Sequence, residues 1–242
     1  MAELKAIVDW LDELLATRLV PDKYCTNGLQ VEGPGPVTKV GFCVDACQQT
    51  FELLKDCQLV IVHHGLFWPS ISRVTGPAYQ SLRFLIEHGM ALYCSHLPLD
   101  YHRELGNNAQ LLRLLGLAPE EPFPPVGWMA SFEEPVRAAD VVARLGFPAR
   151  LLEFGPQEVR RIAVSSGQAS TGMVAEARAL GVDLFLTGEA SHPVYHAARE
   201  AGIHVILGGH YATETWGVRA LMPVVERQFE VEVRFVDVPT GF

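Results

Sequence analysis

Several histidines and acids in this sequence have the types and spacing of a metal site. His63 and His64 are adjacent and close the apolar run Leu59-Val60-Ile61-Val62. His96 and Asp100 are four residues apart, and so are His210 and Glu214, which follow Gly208-Gly209. Imidazole nitrogens and carboxylate oxygens suit Zn, Fe, Mn, Co or Ni, and no C-x-x-C pair offers thiolates instead. His63, His64, Asp100, His210 and Glu214 are more ligands than a single catalytic zinc uses. They fit two divalent metal ions about 3.5–4 Å apart that share a carboxylate, polarise an oxygen and lower the pKa of bound water. Glu214, with a histidine one helical turn before it, is the expected bridge, and Asp100 a terminal ligand.

Each residue also has an ordinary reading. The double histidine could bond nearby carbonyls at a strand end. Neighbours on a regular strand point to opposite faces, so joint ligation asks the chain to bend there, which Gly65 permits. His210 and Glu214 could be a helix cap and a surface acid, although Gly208-Gly209 favours a close backbone approach. Asp100 alone reads as a turn residue. His96 is a ligand, a pocket wall or a general acid–base group, the last two being favoured. Glu189 either stands behind a ligand or contacts substrate, or else caps a helix. Asp45 either orients a ligand or caps the next helix. His192 and His196 imitate a zinc pair but read better as helix-face residues; His88, His102 and His204 read as structural.

The elements that must position these residues show a repeating rhythm. Residues 3–18 have apolar positions at helical spacing, and a Pro/Gly/Asn-rich loop spans 21–36. Strands are expected at 40–44, 58–62 and 90–94, with helices at 48–55, 77–88 and 108–115. Pro98 argues against a regular helix at His96–Asp100. Prolines at 119, 122, 124 and 125 mark a candidate boundary. Beyond them a helix at 138–145 leads into strands at 159–164, 182–186 and 203–207. Helices at 172–180, 193–200 and 214–228 alternate with these, and a half-exposed strand at 231–236 closes the chain. Such alternation implies parallel strands with helical crossovers. The two halves share one element order, which indicates an internal duplication. The fold expected is α/β, with two similar three-layer α/β domains, residues 1–121 and 122–242. The polar residues sit at the carboxyl ends of strands, where open α/β sheets bind ligands, so the metal site is expected in the cleft between the halves.

Composition limits the alternatives. The chain has 242 residues, 49% hydrophobic and 19% charged, enough for a substantial core. A formal net charge of −9 and no Lys/Arg run disfavour nucleic-acid partners. No apolar stretch is long enough to span a bilayer. The N-terminal residues read as an amphipathic helix rather than a signal peptide. Five cysteines without a paired pattern argue against a disulfide framework, and the expected location is cytoplasmic. Neither a phosphate-binding glycine fingerprint nor a nucleophile elbow is present.

Taken together, several segments resemble the Nif-three-like family, whose members are also called GTP cyclohydrolase 1 type 2 homologues. They are Asn27-Gly28-Leu29-Gln30, Val44-Asp45, the run ending in His63-His64, and Ser95-His96-Leu97-Pro98-Leu99-Asp100 with Gly106-Asn107-Asn108. In the second half they are Leu186-Thr187-Gly188-Glu189 and Gly208 to Glu214. The resemblance implies paired α/β domains with exchanged terminal elements, so that the C-terminal strand and helix pack into the first domain. It implies a dinuclear centre on His63, His64, Asp100, His210 and Glu214, with His96 lining the same pocket, and a homohexamer. One departure stands out: Cys25-Thr26 replaces the family's usual aromatic-acid pair. The expected activity is metal-dependent hydrolysis of a small molecule, nucleotide-like or otherwise phosphate- or amide-bearing, with His96 moving the proton. The resemblance adds a GTP cyclohydrolase type 2-like label. The alternative is a metal-carrying or metal-sensing adaptor without turnover.

Overall fold

The apolar positions of the N-terminal segment fall three and four residues apart, and they form α1 (Leu4–Leu14), burying Leu4, Ile7 and Leu11. The computed structural model describes residues 1–71 and 73–242. After α1 come β1 (Gly28–Val31), β2 (Lys39–Asp45), α2 (Gln48–Leu53), β3 (Leu59–His64), α3 (Pro77–Glu87), β4 (Ala91–Cys94) and α4 (Leu97–Tyr101). Next are α5 (Asn107–Leu114), β5 (Glu121–Phe123), β6 (Gly127–Val136), α6 (Ala138–Leu145), β7 (Arg150–Leu152), β8 (Val159–Ala169) and α7 (Thr171–Ala179). The chain ends with β9 (Leu184–Ala190), α8 (His192–Ala201), β10 (His204–Leu207), α9 (His210–Phe229) and β11 (Glu232–Phe235).

Two compact units result. The first is Met1–Leu99 with Val218–Val238, and the second is Asp100–Gly217 with Pro239–Phe242. The division therefore falls at Leu99/Asp100 rather than at the proline-rich stretch near residue 121, which instead forms β5 and the start of β6. The C-terminal part of α9, together with β11, belongs to the first unit.

The first unit has a sheet of order β1-β4-β3-β2-β11. β11, β2, β3 and β4 run parallel, and β1 pairs antiparallel with β4. Residues buried on both faces explain why β2, β3 and β4 read as continuous apolar runs. Phe51, Leu54 and Leu85 from the α2 and α3 region pack against Cys43, Val60, Val62, Leu92 and Cys94. Tyr93 points the other way, toward α1, where its hydroxyl donates to Asp12 at 2.8 Å.

The second unit has a sheet of order β5-β6-β8-β9-β10-β7. β8, β9 and β10 are parallel, and β7 lies antiparallel beside β10. Ile162, Val164, Leu184, Leu186 and Ile206 enter one core, while Ala163, Phe185 and Val205 enter another. Successive residues thus feed opposite faces, and helices cover both. In each unit an antiparallel edge strand lies beside the last of three parallel strands that follow one another in the chain, β2-β3-β4 and β8-β9-β10, as expected of a duplication. The sheets differ in what flanks the first parallel strand: parallel β11 in one unit, antiparallel β6 in the other.

Candidate metal centre

In the first unit three imidazoles converge at the carboxyl ends of β3 and β4. His63, fully buried, lies 2.9 Å through Nδ1 from the Ser95 carbonyl. His64 lies 2.7 Å through Nδ1 from Asp45, the last residue of β2 and its partner in the ladder. His96 follows β4; its Nδ1 is 2.8 Å from Asp22 Oδ2, and its backbone N–H donates to Asn27 Oδ1 at 2.7 Å. β3 continues through His64 rather than ending before the pair, yet the two rings are only 4.7 Å apart. The His96 ring is 5.2 Å from that of His63 and 5.7 Å from that of His64. One ligand atom from each of the three lies within 4.8 Å of the others. Trp68 walls the group, 5.1 Å from His96 and 5.7 Å from His64, its indole N–H held by the Gly65 carbonyl at 2.8 Å.

In the second unit α9 begins at His210, so His210 and Glu214 share one face of its first turn. His210 Nδ1 is 2.9 Å from Glu189 Oε1, and its Nε2 is 3.2 Å from Glu214 Oε2. Asp100 lies in α4, which forms despite Pro98 because that proline falls in the first turn, where no intrahelical N–H is needed. Its Oδ1 accepts from Asn107 Nδ2 at 2.8 Å and Ser166 Oγ at 3.0 Å. Asn108 completes the cradle by accepting from the Ser166 backbone N–H at 2.6 Å and donating to the Asp100 carbonyl at 3.2 Å. Asp100 and Glu214 are both nearly inaccessible, 4% and 3% exposed, and carboxylate oxygens of the two lie within 4.8 Å. Two buried carboxylates this close repel strongly unless a cation or proton joins them.

The donor sets fit a metal. His63, His64, His96 and His210 each turn Nδ1 to a carbonyl or carboxylate oxygen, the orientation in which a metal-binding histidine presents Nε2. Gly167 gives a second fit. A Cβ there would collide with Glu214 Oε1 and stand 3.5 Å from His210 Nε2, and its φ is +67°. Bare backbone is what lets β8 pass this close to the Glu214 and His210 side chains.

Every site residue expected from the sequence thus falls in one of these two sets: His63, His64 and His96 in the first unit, and Asp100, His210 and Glu214 in the second. Asp45 and Glu189 both stand behind an imidazole. Asp22, which holds the His96 ring, is the residue of this group that sequence reasoning missed. Burial alone would raise its pKa, but bonds from His96, Asn27 and the Tyr24 backbone hold the carboxyl well below the usual range. Nothing local separates Asp22 from an ordinary turn acid, since its partner His96 is 74 residues away. His192 and His196 are exposed on α8 and enter none of the ligand groups found among the described residues. His88 bonds the Phe84 carbonyl, His204 lies between the Pro156 carbonyl and the Gly155 amide, and His102 accepts the Glu104 and Leu105 amides, as expected of structural histidines.

The family model Duf34/NIF3 (NGG1p interacting factor 3) matches residues 2–241. A curated relative from Archaeoglobus fulgidus, named GTP cyclohydrolase 1 type 2 homolog, is 41% identical over 245 residues, covering 98% of this chain and 99% of its own length. Among solved structures, the protein ybgI, described as of unknown function, superposes with a TM-score of 0.92 at 35% identity, covering 100% of both chains. A protein of Thermus thermophilus superposes with a TM-score of 0.91 at 37% identity, covering 99% of this chain and 100% of that one.

Proposed function

Because the chain belongs to the Duf34/NIF3 family, we propose that His63, His64, Asp100, His210 and Glu214 hold two divalent metal ions in a hydrolase of a nucleotide-like small molecule. One observation carries the reading: the three imidazoles of this set each have Nδ1 tied to an oxygen acceptor, the arrangement that turns the other ring nitrogen toward a metal. Zn, Fe, Mn, Co and Ni all suit these donors. Such ions, when bound, supply Lewis acidity toward a substrate oxygen and toward water.

The chain's own residues do the rest. Asp22 fixes the His96 ring with its Nε2 free to take a proton from water or return one to a leaving group. Trp68, beside His64 and His96, offers an aromatic face against which a purine can stack. Asn107 and Ser166 lock the Asp100 carboxylate in one rotamer. The relative's printed name supports a GTP cyclohydrolase type 2-like reaction as the substrate class to test first.

The deciding experiment is metal content per chain, followed by turnover. We expect a ratio near two in wild type and near one in Asp100→Ala. Metal-dependent hydrolysis across a nucleotide panel is expected to vanish in His63→Ala and Glu214→Ala. A fully loaded protein inactive across that panel would overturn the hydrolase reading. The family description, an interacting factor, favours a second reading as a metal-carrying adaptor in the cytoplasm. Metal-dependent co-purification of a protein partner without turnover would establish it. The homohexamer suggested by the resemblance is checked by mass in solution.

A further inference from the structure

The loop that anchors His96 carries a thiol facing a second thiol. Cys25 Sγ lies 3.4 Å from Cys94 Sγ, across 69 residues of sequence and within the core of the first unit. Cys94 ends β4 two residues before His96, and its thiol donates to the His63 carbonyl at 3.3 Å. Cys25 lies between the two residues that hold His96: Asp22 binds the ring, and Asn27 binds the backbone N–H. The loop is tied together locally, since Asp22 Oδ1 accepts the Tyr24 and Cys25 amides at 2.9 and 3.1 Å. We propose that Cys25 and Cys94 are an oxidisable pair whose closure to a disulfide re-sets the loop that holds His96.

The geometry asks for little. A disulfide needs the sulfurs at about 2.05 Å, so closure from 3.4 Å is a short movement of the Cys25 loop toward β4. The movement falls to that loop, whose Lys23 and Tyr24, between Asp22 and Cys25, are exposed, whereas Cys94 is fixed in a ladder between β1 and β3. Because Cys25 and Asp22 are joined by a hydrogen bond, displacing one drags the other, and the His96 ring follows. The chemistry balances with a hydroperoxide as oxidant. The Cys25 sulfur takes one oxygen of hydrogen peroxide, breaking the O–O bond and releasing water, to give a sulfenic acid. The Cys94 sulfur then attacks it, the S–O bond breaks, and a second water leaves. Cys43 and Cys57 are not paired in this way, and burial pushes the Cys57 thiol up to about 11, which disfavours thiolate chemistry there.

The test uses the full-length, metal-free protein, so that its result is independent of the dinuclear reading. Hydrogen peroxide is added, free thiols are alkylated, and non-reduced peptides are mapped by mass. A Cys25–Cys94 linked peptide, reversed by dithiothreitol and absent in Cys25→Ser, is expected. The His96 ring resonances of isotopically labelled protein should shift on oxidation in wild type but not in Cys25→Ser. Cys94→Ala, checked for native circular dichroism, should lose the cross-link equally. Over-oxidation without a cross-link, a cross-link formed only after unfolding, or a cross-link that leaves the His96 resonances unmoved would each overturn the proposal.

Discussion

The contact that most constrains the chemistry is the one between Asp22 and His96. Asp22→Asn keeps the shape but offers an N–H where the carboxylate accepted one. The imidazole should then carry its proton on Nε2, and the ring ¹⁵N shifts of His96 report that exchange directly. Loss of this acceptor from a site serving several donors should cost about 1–3 kcal/mol in denaturant unfolding. The pH dependence has a definite sign. Asp22 has a native pKa below its unfolded value, so its contribution is complete above the ordinary aspartate range near 4. The stability gap between wild type and Asp22→Asn should therefore stay level at neutral pH and narrow as pH falls below about 4. At this scale the ligand candidates were legible because rare residue types close apolar runs. Asp22 was not, because an aspartate in a turn looks the same whether or not an imidazole arrives from far along the chain.

Among the elements, strand ends and helix starts decide what the side chains can do. β3 runs to His64, and the ladder to β2 places Asp45 beside that ring, so one register fixes both the imidazole and the carboxylate that orients it. The pattern of the sequence revealed the central parallel strands, since burial on both faces leaves no polar alternation, and it revealed β11 by the alternation of a half-exposed strand. It hid β1, β5 and β7, which are three or four residues long and lie in stretches rich in glycine, proline or charge, and it also missed the ten-residue β6, which follows the proline-rich stretch and carries Glu133-Glu134-Pro135 near its end. It also mis-weighed Pro98, which breaks a helix only when it lies beyond the first turn. Gly167 tests the element scale. Gly167→Ala faces both a left-handed backbone and the Glu214 carboxylate, so a loss of about 1–3 kcal/mol is expected. Its distinguishing result is weaker metal binding at temperatures where the variant is still folded, measured by titration with Zn or Mn.

For the whole chain, the duplicated order of strands was readable, but the line between the units was not. Proline-rich composition pointed near residue 121, whereas contacts divide the chain at Leu99/Asp100 and within α9. A boundary inside a helix leaves no trace in composition. The returning segment is structural: Glu232, Val233, Arg234 and Phe235 pair with Lys39, Val40, Gly41 and Phe42, and Arg234 reaches the Leu53 carbonyl at 2.6 Å. Ending the chain after Glu230 should lower the melting temperature by about 2–4 °C for each kcal/mol lost, and hydrogen exchange should rise first in β2. The same arrangement imposes an order on biosynthesis. A ribosome adding about 5–20 residues per second releases β11 roughly 10–40 s after β2. Throughout that interval the nascent chain presents β2 as an open edge, a natural client for a chaperone waiting at the exit tunnel.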